Sequence, residues 1–294
     1  MANYYTLGAS LPDLLIDDTK IDYSTAEFVE ELKGQASSSD QKQIDLILLR
    51  GDNRVLVAIL KDRPIPALYM PLALGEAHLR TLVEAVRSES LEDKQDHLPI
   101  PESTPEYMVT FVREYLGEKY EKGVLFIEDK LAELYQEYVR SKANTFLKGW
   151  FEMNLNLNNI LASLTAKKYD LDPAKYLVGS NEIVEIIKSG IWSDISDLKE
   201  GEMMNEIIKI GEENEPMHRE RRLDAFKWRM LEEVTFSDSF SINAMLAYLL
   251  KLQILERWVS LDKEQGMARF REIIMGLKKE GREELADFVQ RTKK

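Results

Sequence analysis

The sequence predicts an all-α protein, and three observations carry that prediction. Between Val124 and Trp150, apolar residues fall at Val124, Ile127, Leu131, Leu134 and Tyr138. Those spacings of 3, 4, 3 and 4 trace one face of a helix. Next, the run from Ser241 to Trp258 carries two apolar faces. Ile242, Met245, Leu246 and Leu249 form one, and Leu250, Ile254, Trp258 and Leu261 form the other. A helix apolar on two sides must be packed on two sides, which makes this the central helix. Finally, helix-start chemistry recurs along the chain while clear period-2 alternation is scarce.

Taken in order, the first start signal is Ser24-Thr25-Ala26-Glu27, a capping box. Ser24 can accept from a free backbone N–H, and Glu27 can reach back to the cap. Phe28, Val29 and Leu32 follow as its apolar face. Ala36 to Asp40 reads as a polar connection, and a helix follows over 41–50. Arg54 to Leu60 is the one β-like run, although its neighbours suit helix, so its period leaves both open. A helix is expected over 73–88. Ser88 to Pro105 carries Pro99, Pro101 and Pro105, and reads as a linker or an exposed loop. Thr104-Pro105-Glu106 places a cap before Pro at the first helical position and an acid near the positive end of the dipole. Val124 to Trp150 reads as one helix of about seven turns, and Asp172-Pro173 repeats the cap-then-Pro logic. Further helices are expected over 154–168, 181–189, 196–211, 218–234, 264–279 and 281–291, with Gly211 and Gly281 as stops or starts.

Composition limits the function classes. A chain of 294 residues, 44% hydrophobic, can bury roughly three quarters of its unfolded surface. One all-helical domain over 1–294 is expected, with a possible sub-division near 88–105. With no cysteine, disulfides, thiol catalysis and cysteine-ligated metal centres are excluded. A net charge of −13 argues against nucleic-acid binding and attachment to anionic lipid. It suits an acidic face for a basic protein partner, or simply a solvated surface. Met1-Ala2-Asn3-Tyr4-Tyr5 lacks the basic and apolar regions of a signal peptide. The apolar run from Pro64 to Gly75 is broken by three prolines and is far short of the ~20 residues that span a bilayer. A soluble, cytoplasmic protein without direct membrane insertion is the expectation.

No catalytic constellation emerges. His78, His97 and His218 fall in no two-histidine metal spacing. Glu215-Pro216-Met217-His218 has the Glu-x-x-His form of di-iron bundles, but that architecture needs a second copy and two further glutamates. No phosphate loop, dinucleotide fingerprint or nucleophile elbow occurs. The pairs Glu30-Glu31 and Glu232-Glu233 are adjacent, so they point apart on a helix. No catalytic, cofactor-binding or metal residue is therefore assigned, and neither an enzyme nor a small-molecule substrate is expected. Two clusters remain. His218, Arg219, Arg221, Arg222 and Lys227 form a compact basic patch flanked by Glu212, Glu213, Glu215 and Glu220. It reads as mutual neutralisation along a helix or as a docking patch for an acidic partner. Asn154, Asn156, Asn158 and Asn159 interrupt an apolar run as a cap or turn, or as part of a helix-packing motif. Asp52-Asn53 and Asn158-Asn159 echo each other within apolar runs, a weak mark of a duplicated unit.

Two stretches resemble a known family, the C-type stalk proteins of the V-type/A-type rotary ATPases, called d-type in eukaryotes. Residues 150–161, Trp-Phe-Glu-Met-Asn-Leu-Asn-Leu-Asn-Asn-Ile-Leu, are similar to that family's Asp-x-x-Asn-x-x-x-x-Leu-Arg helix. Residues 247–256, Ala-Tyr-Leu-Leu-Lys-Leu-Gln-Ile-Leu-Glu, are similar to its closing Tyr-Leu-x-Lys-x-x-Glu-x-x-Asn helix. The opening from Tyr4 to Leu14 looks like that of a divergent bacterial group related to the family. The chain departs from the pattern in places. Asn156 or Asn158 stands at the family's Asp, only Lys167 and Lys168 stand near its Arg, and Arg257 or Trp258 stands near its last Asn. The resemblance covers most of 145–290 and, before that, the opening alone. It implies a funnel-like multi-helix bundle without cofactor, a non-catalytic rotor socket of the central stalk. Such a socket couples the central shaft to the membrane rotor ring in proton or sodium transport, peripheral to the membrane. A generic helical adaptor, or an enzyme of unknown class, is the alternative.

Overall fold

A computed structural model of the chain describes residues 4–66, 70–91, 96–117, 127–237 and 239–261. Every regular element among them is helical. Eleven α-helices can be followed. They are α1 (Tyr5–Ser10), α2 (Thr25–Gln35), α3 (Ser38–Leu60), α4 (Glu76–Ser88), α5 (Glu106–Leu116), α6 (Ile127–Lys142), α7 (Thr145–Lys168), α8 (Glu182–Ser189), α9 (Gly201–Gly211), α10 (Pro216–Ser237) and α11 over 242–261. Two 3₁₀ turns, Pro173–Tyr176 and Trp192–Asp197, lie between α7 and α9. Among the described residues no helix is long and apolar enough to cross a membrane.

The capping box forms as its residues dictate. Ser24 Oγ accepts from Glu27 N, and Ser24 N donates to Glu27 Oε2 at 2.8 Å. Asp172 accepts from Ala174 N and starts a 3₁₀ turn with Pro at its head. Asn181 caps α8, and Gly190 ends it at φ 77, a left-handed stop that only glycine adopts without strain.

Several expectations are corrected. Ala36 to Asp40 is not a connection throughout: Ser37 caps α3 by accepting from Asp40 N, so the link is Ala36 and Ser37 alone. Arg54 to Leu60 is helical, because Val55, Leu56 and Leu60 continue the buried face begun by Ile44 and Leu48. Thr104 does not cap α5. Pro105 holds the cap position, and the Thr104 hydroxyl donates to Pro101 O at 2.7 Å. The expected helix over 196–211 divides into a 3₁₀ turn and α9.

The largest correction concerns 124–150, which is not one helix. Its first residues lie outside the described set, and a break falls at Ala143-Asn144. Asn144 Oδ1 accepts from Leu147 N at 2.9 Å and starts α7. Its other groups are taken from outside: its N–H donates to Gln43 and its Nδ2 to Asn243, at 2.8 and 2.9 Å. A side chain that satisfies a new helix start and two tertiary partners outweighs a continuous apolar period. The helices expected near 264–279 and 281–291, with Gly281, lie outside the described residues.

Buried apolar side chains from Tyr4 to Trp258 form one contiguous cluster. Both faces of α11 enter it, with Met245, Leu246, Leu249, Leu250, Ile254 and Trp258 all buried and Ile242 and Leu261 at its edge. Trp150 is buried too, but Leu161 is only half-buried. It lies over Gly211, where an added Cβ would meet Leu161 at 3.0 Å and Leu164 at 2.5 Å. Residue 211 thus lets α9 approach α7 closely, besides ending its own helix.

α3 and α7 use one device. Within α3, buried Asp52 accepts from the N–H groups of Ala73, Leu74 and Gly75 at 2.8, 3.0 and 3.1 Å. These residues lead directly into α4. Within α7, buried Asn159 exchanges two hydrogen bonds with Val178, and Asn156 accepts from Asn181, the cap of α8. The asparagines are therefore neither cap nor turn of their own helix. They are mid-helix groups that fasten the segment leading into the next one. Asn158, by contrast, is exposed, and Asn154 donates back to Trp150 O.

Candidate functional site

α11 is where the chain is tied together. Its Tyr248 hydroxyl donates to Pro12 O at 3.0 Å, and the Tyr248 ring lies 4.9 Å from that of Phe28. Burial, reinforced by Asp13, raises the Tyr248 phenol to about 12. Lys251 lies 3.6 Å from Glu232 and 4.9 Å over the Trp228 ring. Burial pushes its ammonium pKa down, opposed by Glu232. Glu256 Oε1 accepts from Thr25 N at 2.9 Å, which places a carboxylate on the positive end of α2. Gln253 reaches Met70. Each of these polar residues holds a different segment, while the apolar residues between them fill the core.

Beside these ties runs an open cleft. Its walls are the segment Gly8 to Leu15, the last turns of α10 with Thr235 and Phe236, and the start of α11 with Ala244 and Met245. Leu11, Pro12 and Leu14 make one wall apolar, and Asp13 sits on its rim. Phe236 is 93% exposed, an unusual state for a phenylalanine on an ordered helix. Leu15 and Tyr5, both exposed, lie in or beside the same segment. Tyr5 stacks on Phe240 at 4.7 Å. A large apolar group held in water beside a concave apolar wall is the ordinary make-up of a protein-contact surface.

The predicted basic patch is largely dispersed. His218 Nδ1 lies 3.0 Å from Glu213, and Arg222 lies 3.6 Å from the same carboxylate. These partners hold the Glu213 carboxyl below its ordinary value. Arg221 stacks on the Trp258 ring at 3.8 Å. Lys227 turns toward Asp224 rather than toward solvent. Glu215 accepts from the backbone of Met217 and His218, so its Glu-x-x-His spacing caps α10. Among the described residues no group of three or more His, Asp or Glu is placed to hold a metal ion.

Sequence reasoning misses the cleft. The α10 period is legible only as far as Val234, and Gly8 to Leu15 carries no pattern that marks a wall. Exposure of Phe236 is a tertiary property, and its only trace in sequence is an aromatic at the very end of a helix.

Residues 1–281 match the family described as "Protein of unknown function (DUF2764)". The chain belongs to that family. No curated protein matches it.

Proposed function

We propose that this DUF2764 chain is a non-catalytic rotor socket of a V/A-type rotary ATPase, lying between the central shaft and the membrane ring. One observation carries the reading. The residues by which α11 resembles the closing helix of the C-type stalk proteins, Tyr248, Lys251 and Glu256, are the ones that fasten the opening segment, α10 and α2 to it. A socket transmits torque, so its elements must resist sliding past one another. Dense packing supplies most of that resistance, and directional bonds between distant segments add registry.

The funnel-like arrangement belongs to this proposal, as does a position peripheral to the membrane on the cytoplasmic side. Exposed Phe236 and its cleft supply what a socket needs toward a partner: an aromatic anchor beside an apolar wall. The acidic balance of the chain favours basic contact patches, with association slowing as salt rises. The same cleft also supports the second reading, a helical adaptor for an unrelated partner.

Tagging the protein in its native cell and identifying what co-purifies separates the two. Shaft and ring proteins of the rotary ATPase should come with it at low salt in mild detergent. Their absence, with an unrelated partner recovered in stoichiometric amount, would overturn the socket reading and leave the adaptor.

A further inference from the structure

One side of α10 carries more positive charge than it can pair. Helical spacing sets Arg219, Glu220, Leu223, Asp224 and Lys227 within one arc of its surface. α11 brings Arg257 and Trp258 against that arc. Asp224, 3% exposed, accepts from Trp258 Nε1 at 2.7 Å and from the Arg257 guanidinium. Arg257 also reaches Glu220 at 3.4 Å. Both carboxylates of the arc are therefore engaged by Arg257.

Two cationic groups on the same wall are left over. Lys227 Nζ comes no closer to Asp224 than 4.0 Å, too far for a hydrogen bond, and no other acceptor serves it among the described residues. Arg219 Nε is buried with no hydrogen-bond partner among the described residues. Arg50 of α3 adds its charge to the field on Lys227. Arg50, Lys227 and Arg257 thus act on a region whose counter-charges are Asp224 and Glu220. A largely buried ammonium without a hydrogen-bond acceptor costs free energy, which a ligand oxyanion would recover. The Lys227 side chain keeps 21% of its surface exposed, so such a group can reach it.

We propose that the seam between α10 and α11 is a carboxylate-binding site, with Lys227 Nζ as its donor and Arg257 and Arg50 supplying the field, filled by an acidic side chain of another protein. A carboxylate fits better than a larger anion because Asp224 and Glu220 already occupy part of the wall. Burial and the two arginines hold the Lys227 pKa below its ordinary value, against Asp224 and Glu220. An arriving carboxylate would reverse that shift. The competing source is the chain itself, since Asp262 and Glu264 follow α11 directly in sequence.

The test uses the purified full chain grown with isotope-labelled lysine, with the Lys227 side-chain resonance assigned by its loss in Lys227→Arg. Citrate is the carboxylate probe, titrated at constant ionic strength against sodium chloride. The expected result is a saturating shift of Lys227 with its pKa rising, at an affinity at least about tenfold above that of any other lysine, the equivalent of one charge-assisted hydrogen bond. A shift that merely follows ionic strength, as at surface lysines, overturns the site. The double variant Asp262→Asn with Glu264→Gln is run in parallel. Saturation seen only in that variant shows that the chain's own carboxylates fill the seam, which overturns the partner. Because no partner is needed, the outcome does not depend on which proteins co-purify with the chain.

Discussion

Asn159 and Val178 exchange two hydrogen bonds of 2.9 Å, the side-chain amide donating to the carbonyl of Val178 and accepting from its N–H. The amide acts as one more residue of backbone, pairing with a segment that has no sheet to join. No other side chain than Asn or Gln offers that donor and acceptor pair, and Gln is one methylene too long for the same register.

Asn159→Leu should therefore cost about 2–4 kcal/mol, because two backbone groups near the core lose their partners together. Asn159→Asp should lose the bond to the Val178 carbonyl while keeping the one from its N–H. Urea titration measures the cost, and hydrogen exchange at Val178 should quicken in both variants. A loss below about 0.5 kcal/mol for the leucine variant would mean that water replaces the amide.

Leu249→Ala should cost about 2–5 kcal/mol in the same titration, as expected for a fully buried leucine whose site cannot collapse. Leu249 sits among residues of the first face of α11, while Leu250 fills the second. Leu250→Ala should cost a similar amount. A helix packed on one side only would lose stability at one of these positions and not at the other.

Phe236→Ala should leave stability within about 0.5 kcal/mol, since an exposed side chain gives up little on truncation. It should weaken capture of the native partner at least about tenfold, the range for an aromatic anchor at the centre of a contact. Pull-down of the tagged variant reads the second effect, and thermal unfolding the first. Unchanged capture would remove the cleft from the interface.

Tyr248 supplies a pH signature. Its phenol titrates near 10 when unfolded and is raised to about 12 when folded, so the native state holds this proton more tightly. The contribution is fully present below about pH 10 and is lost as pH rises toward about 12. Stability of the wild type should fall more steeply over that interval than stability of Tyr248→Phe. Ultraviolet absorbance of phenolate should show one late-titrating tyrosine fewer in the variant. Equal slopes would show that burial does not hold the Tyr248 proton.

What can be read from the chain without its structure divides along one line. The capping box at Ser24 and the two faces of α11 are legible, because each rests on spacing within one helix. The break at Asn144 is not. Val139, Leu147 and Trp150 keep the period across it, and the partners that stop the helix, Gln43 and Asn243, lie about a hundred residues away on either side. The roles of Asp52 and Asn159 are half legible. A polar group inside an apolar run announces that a partner exists, yet the partner is a stretch of backbone with no sequence signal of its own. Exposure of Phe236 leaves no mark at all, since the same residue at the same helix end could as easily be buried.

The tie between Glu256 and Thr25 joins residues 231 positions apart. Tyr248 with Pro12 and Phe28, and Tyr4 N–H with Phe240 O, span comparable lengths. While the chain is being synthesised, none of these bonds can form until α11 has left the ribosome. Until then the Phe28 face of α2 has no partner for most of the time needed to translate the protein. The nascent chain must therefore carry an uncovered apolar helix near its start, a state prone to aggregation and to capture by chaperones. Completion of the core is a late and slow event, because loops of this length close before any of their contacts repay the entropy. Ribosome release, rather than emergence of the first helices, sets the moment at which this molecule becomes a folded one.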